Sequence, residues 1–107
     1  MKEEALRAAR AAFEIESDSI AKMAAYMEDT AFSEAVALLA NAPRIGTSGC
    51  GHSGIACQHF AHLMCCIELP AKFISPAEAV HGGTGFLKQG DVMVFASRGG
   101  KTKELLP

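Results

Sequence analysis

The sequence predicts an α/β protein with a parallel sheet and helices ahead of the first strand. Helix-period stretches alternate with short apolar runs beyond Pro43, the pattern of strands joined by helical crossovers. Two strand-to-helix turns, Gly49–Gly54 and Ser97–Thr102, consist largely of glycine and hydroxyl residues. Before them, residues 2–28 contain no Gly or Pro and are rich in Ala, Glu, Lys and Met.

In residues 2–28, Leu6, Phe13, Ile20 and Met27 recur every seventh position, which predicts a long amphipathic helix with an apolar stripe. Core packing and contact with a second subunit both remain open for that stripe. Asp29-Thr30 is placed to cap a second helix with Phe32, Val36 and Leu39 on one face, stopped by Asn41 and Pro43. Arg44–Thr47 predicts a strand, Ser48–Gly51 a turn, and about His52 to Cys66 a helix, apolar on several sides and hence expected to be buried. Ala71–Ile74 predicts a second strand, broken by Ser75-Pro76. Residues 77–87 are expected to be irregular after one helical turn. Asp91–Ala96 is the clearest strand, a continuous apolar run of the kind buried in parallel sheets. Ser97–Lys101 turns, and a helix is expected from Thr102. There is no internal repeat or low-complexity linker, so residues 1–107 are expected to form one domain. A strand and one helical turn before Pro107 would leave a sheet edge open. The domain is therefore expected to be incomplete at its C-terminus, and the chain alone dimeric or aggregation-prone.

Half of the residues are hydrophobic, 21% are charged and the net charge is −2. No basic surplus exists to neutralise a nucleic-acid backbone, which argues against DNA or RNA as partner. No apolar run approaches the roughly 20 residues of a membrane span, and the N-terminus lacks a secretory leader pattern. The expectation is a cytoplasmic protein. Cys50, Cys57, Cys65 and Cys66 lie too close in sequence to make a useful disulfide framework and are expected to be reduced. With His52, His59 and His62 they resemble a metal-binding composition. No Cys-x-x-Cys pair exists, however, and the side chains point around several sides of a helix, so no metal is expected.

The two turns carry the chemistry. Ligands of parallel α/β sheets sit at the carboxyl ends of the strands. In the first turn Gly49, Gly51 and Gly54 let backbone approach a ligand, a helix start offers free N–H groups, and Ser48 and Ser53 add hydroxyls. Its spacing matches G-x-G-x-x-G, yet the end of the second strand offers Ser75 where a dinucleotide site needs an acidic residue, which counts against NAD. No cofactor is expected. The second turn offers Ser97, Gly99, Gly100, Lys101 and Thr102, but no glycine at the distance a Walker A loop requires. Two such turns at successive crossings point to an anionic, oxygen-rich ligand.

Three segments together resemble the sugar isomerase (SIS) domain, closest to its arabinose 5-phosphate isomerase branch. They are Gly49-Cys50-Gly51-His52-Ser53-Gly54, Ser75-Pro76-Ala77-Glu78-Ala79-Val80-His81-Gly82, and Ser97-Arg98-Gly99-Gly100-Lys101-Thr102-Lys103-Glu104. That branch carries G-x-G-K-S-G, P-x-E-A-x-H-G-D and S-N-S-G-E-S-x-E, and the middle segment is the most discriminating. The resemblance implies a three-layer αβα sandwich of flavodoxin/Rossmann-like form that binds a phosphosugar, and in many members isomerises it between aldose and ketose. It implies phosphate contacts from Ser53, Ser97 and Thr102, supported by Gly49, Gly51, His52, Gly100 and Lys101. It makes Glu104 the base that moves a proton between C1 and C2, and His81 the acid/base partner. It also implies a homo-oligomer, dimer or tetramer. This sequence departs from the pattern at His52 for lysine, Gly83 for aspartate and Gly99 for serine. The competing expectation is a non-catalytic module that binds or senses a phosphosugar.

Overall fold

The computed structural model describes residues 1–101 and Lys103. Two compact units divide the chain, Met1–Val36 and Ala37–Pro107, and both glycine-rich turns belong to the second.

In the first unit, α1 (Lys2–Met23) has Glu3 and Glu4 in its first turn and Lys22 in its last, each favourable to the helix dipole. The helix is shorter than the periodicity predicts. From Ala24 to Glu28 it tightens into a 3-10 helix, a common ending for an α-helix, and Asp29 then turns extended. The Asp29 Oδ1 accepts the Ala31 N–H at 3.1 Å, so the predicted cap opens α2 (Thr30–Ala40). The stripe of Leu6, Phe13, Ile20 and Met27 is exposed.

The second unit runs β1 (Ile45–Gly49), α3 (Gly51–Cys66), β2 (Ala71–Phe73), α4 (Pro76–Ala79), a 3-10 turn at Gly83–Phe86, and β3 (Val92–Ala96). All strands are parallel in the order β2-β1-β3. Here β1 carries on two residues past the expected Thr47, because Ser48 and Gly49 pair with Phe95 and Ala96. This is the predicted α/β fold, with helices before the first strand and a parallel sheet.

Strand alternation sorts the side chains onto two faces. One face carries Ile45, Thr47 and Gly49 of β1 and meets α3. The Thr47 hydroxyl, fully buried, donates to the Cys57 carbonyl at 2.9 Å, and the Cys57 thiol donates to the Ser48 carbonyl at 3.2 Å. This reciprocal pair fixes the height of α3 along β1. Gly54, Cys57 and Ala61, at spacings of three and four, are the buried residues of α3. The expected burial on several sides is therefore corrected: Ile55 and Leu63 are exposed, because a helix lying on one sheet hides only one stripe. The other face carries Gly46, Ser48, Met93 and Phe95, under the segment 74–87. The expected burial of β3 is corrected too. It is half-buried, with Phe95 58% exposed, since β3 has a strand on one side only.

At the amino ends of the strands, Arg44 grips Asp91 through Nη2–Oδ2 at 2.7 Å, and the Lys88 N–H donates to the same oxygen at 2.8 Å. The Lys88 amide and then the guanidinium hold the Asp91 carboxyl below its ordinary value, against the opposing effect of burial. A lowered folded-state value means stability that is present above about pH 4 and lost as pH falls through the lowered value. Asp91→Asn is accordingly expected to lower the melting temperature at neutral pH, and the gap from the parent should close in acid. Thermal melts across pH check this; a gap independent of pH would contradict it. Arg44 also lies 4.6 Å over the Phe86 ring and Lys72 5.3 Å from it, which ties the 3-10 turn to the sheet. No helix among the described residues is long and apolar enough to cross a membrane.

Candidate functional site

The strand order makes the carboxyl ends of β1 and β3 a switch point. The chain leaves β1 through α3 toward β2 and returns to β3 on the other side of β1. Gly49 and Ala96, the last residues of the two strands, are register partners. The two glycine-rich turns therefore start from neighbouring strands about 4.8 Å apart.

In the first turn, Cys50 is extended and Gly51 takes φ 57°, a left-handed conformation, with open space where a side chain would stand. The α3 helix, 16 residues long, thus begins directly at the end of β1 and presents the unpaired N–H groups of its first turn there. His52 is exposed and Ser53 partly exposed, both on that turn. Gly49 and Gly54 serve a different purpose. A Cβ on Gly54 would stand 2.6 Å from the Gly49 carbonyl oxygen, and one on Gly49 would stand 3.0 Å from Gly54 N. They let strand and helix backbones touch.

In the second turn the Ser97 Oγ accepts the Gly100 N–H at 3.0 Å, and Gly100 takes φ 67°. This closes a tight loop whose Gly99 and Gly100 face open space, with Lys101 exposed after them. Thr102 and Glu104, and the helix expected from Thr102, lie outside the described residues. Gly49, Gly51, His52, Ser53, Ser97, Gly100 and Lys101 are thus on two turns that issue from paired strands.

His81 is carried by neither turn. It ends the segment opened by Ser75, whose Oγ accepts the Glu78 N–H at 3.1 Å to cap α4, with Pro76 in the first helical turn. The His81 N–H donates to the Glu78 carbonyl at 3.0 Å, its side chain is exposed, and Gly82 at φ 105° turns the chain away. Gly83 is packed tightly: a Cβ there would lie 2.7 Å from the Glu78 oxygen and 3.1 Å from Ile74 Cγ2. Aspartate, which the resembling pattern P-x-E-A-x-H-G-D carries at this position, does not fit this backbone. Gly83→Asp is expected to destabilise by about 1–3 kcal/mol, as overpacking commonly does, measurable by urea denaturation; unchanged stability would show that the segment shifts freely.

Beneath this segment, on the face of the sheet away from α3, lies a cavity of about 200 Å³. Ser48, Ile74, Ala79, Leu87, Met93 and Phe95 line it, with Pro76 and Thr84. Nothing in the sequence marks this cavity, although strand alternation puts Ser48 on this face once Thr47 is assigned to the other. Among the described residues, no group of three or more His, Cys, Asp or Glu side chains converges as a metal site. All four cysteines are free thiols.

A family model described as the SIS domain matches residues 38–107. The arabinose 5-phosphate isomerase GutQ of Escherichia coli K12 is 32% identical over 98% of this chain and 33% of its own length. The arabinose 5-phosphate isomerase KdsD of Pseudomonas aeruginosa is 30% identical over 86% of this chain and 28% of its own. The chain thus spans about a third of the length of these relatives. A solved structure of a candidate sugar-phosphate isomerase from Listeria monocytogenes superposes with a TM-score of 0.70 at 39% identity, covering 73% of this chain and 41% of that one. A candidate phosphosugar isomerase involved in capsule formation in Bacteroides fragilis gives 0.69 at 28% identity, over 87% and 53%.

Proposed function

This chain belongs to the SIS domain family, and from that premise we propose that it binds a sugar phosphate across the ends of β1 and β3 and isomerises it between aldose and ketose. The observation that carries the binding is the Gly49–Ala96 pairing, which sets two hydroxyl- and glycine-bearing turns side by side. The first-turn N–H groups of α3 with Ser53, and the Ser97 turn with Lys101 and Thr102, supply donors and positive charge for a phosphate dianion. The isomerase step follows the relatives, named as arabinose 5-phosphate isomerases. Glu104 takes the proton from the hydroxyl-bearing carbon beside the carbonyl, the electron pair forms the enediol, and the proton returns to the former carbonyl carbon. His81 exchanges the proton between the two oxygens.

A second reading, binding without turnover, is favoured by one observation. The backbone around Gly83 is closed against the carboxylate that the resembling enzymes carry there. Calorimetric titration with arabinose 5-phosphate and with arabinose tests the shared part: the phosphate ester is expected to bind and the free sugar not to. Equal binding of both would refute the phosphate site. Loss of deuterium from the C2 position of arabinose 5-phosphate into solvent then separates the readings, since binding without exchange leaves the sensor alone.

A further inference from the structure

We propose that the apolar stripe of α1 is the seat of a second copy of this chain, the two helices packing antiparallel about a two-fold axis at Phe13. The inference concerns the first unit alone and does not depend on the phosphosugar reading.

The stripe is left open by its own chain. Leu6, Phe13 and Ile20 are 51%, 74% and 69% exposed on a helix of 22 residues. A row of large apolar side chains along about 33 Å of helix marks an interaction surface. The row is symmetric about its centre, which suits a copy of itself. Leu6 and Ile20 each stand seven residues from Phe13. A reversed copy therefore sets Phe13 against its own counterpart and Leu6 against the second copy's Ile20, in both directions. Ala9 and Ala12 beside the row carry only methyl groups, which lets the axes close to the roughly 8–10 Å of packed helices.

Charge fixes the direction. Ahead of Phe13, Lys2, Arg7 and Arg10 outweigh Glu3 and Glu4, a net charge of +1. After it, Glu14, Glu16 and Asp18 outweigh Lys22, a net charge of −2. Reversed copies lay the positive half of each helix beside the negative half of the other, whereas parallel copies lay like beside like. A groove then receives the far end. Where the stripe finishes, Ile20, Met23, Ala24, Tyr26, Met27 and Phe32 enclose about 400 Å³ of apolar space. Antiparallel packing brings Leu6 and the fully exposed Met1 of the second copy to this end. Parallel packing would set groove beside groove and leave both unfilled.

Sedimentation velocity of the unmodified chain and of Phe13→Glu tests the interface. The expected result is a dimer whose dissociation constant rises about thirtyfold or more in Phe13→Glu, as when a central aromatic anchor is lost. Because Phe13 is exposed, the variant should keep its far-ultraviolet circular dichroism. Direction is tested by mixing Leu6→Cys chains with Ile20→Cys chains, oxidising them, and locating the bridges by peptide mass spectrometry, which separates them from any made by the four native thiols. Bridges from position 6 of one chain to position 20 of the other are expected. A monomeric unmodified chain overturns the proposal. So does a dimer that Phe13→Glu leaves equally tight, since it would form through another face such as the open sheet edge. Bridges joining 6 to 6 and 20 to 20, or no bridge at either position, overturn the antiparallel arrangement.

Discussion

Gly54→Ala is expected to destabilise the second unit by about 1–3 kcal/mol and to weaken sugar-phosphate binding at least tenfold. Helix propensity alone predicts the opposite sign, since alanine inside a helix is favoured over glycine by about 1 kcal/mol. The sign is decided by what the new methyl meets. Its nearest neighbours are Gly49 O at 2.6 Å and Gly49 C at 3.1 Å, both backbone atoms of the central strand, which has no rotamer with which to yield. Relief requires α3 to lift off β1. The Thr47–Cys57 and Cys57–Ser48 hydrogen bonds hold it down, and would lengthen or break. Displacement at Gly54 also moves the first turn of α3, where the phosphate donors are proposed to lie, so stability and affinity should fall together. Gly51→Ala is the control. Open space surrounds that position, and only its left-handed φ is strained, at a cost of about 1–2 kcal/mol. Urea denaturation of the two variants checks the order. A Gly54→Ala chain as stable as the parent would mean that the helix–strand contact is loose.

This contrast shows how far the sequence could be read. Glycines at 49, 51 and 54 looked alike there, as parts of one phosphate-loop spacing. Only the backbone separates them: Gly51 supplies a conformation, whereas Gly49 and Gly54 supply a close approach. The α/β class was legible because periodicity and turn residues are local properties. Strand order was not, since the placement of β1 between β2 and β3 depends on pairings made across tens of residues. That order is what makes the two turns neighbours. The burial of α3 was overestimated for a related reason: Ile55 and Leu63 are apolar, but a composition does not say which faces have something to pack against. The cavity was hidden because its walls come from β1, β3 and the segment 74–87, most of which (77–87) is expected from sequence to be irregular after one helical turn. The capping of α4 by Ser75 also went unread, although Ser75 and Glu78 stand at the Ser-x-x-Glu spacing of a helix start.

Glu104→Gln is expected to lower kcat for aldose–ketose interconversion by about 10²- to 10⁴-fold, the usual worth of a positioned general base. Glutamine keeps the size and hydrogen-bonding reach of the side chain but cannot accept the proton from carbon. Affinity for the sugar phosphate should therefore change only a few-fold, and exchange of the C2 hydrogen with solvent should fall in step with turnover. Ser97→Ala separates binding from chemistry. Its hydroxyl holds the Gly100 N–H at 3.0 Å, so removal loosens the proposed phosphate turn. That loss bears on the ground state and the transition state alike, and should appear chiefly in KM. The pair gives opposite signatures: kcat falls with Glu104→Gln, and KM rises with Ser97→Ala. Glu104 is placed by its motif position alone, two residues after Thr102 and beyond the described turn. Steady-state kinetics with arabinose 5-phosphate, alongside titration of each variant, reads both. Unchanged exchange in Glu104→Gln would remove this carboxylate from the mechanism while leaving the binding site intact. Exchange lost together with binding would instead assign Glu104 to holding the ligand.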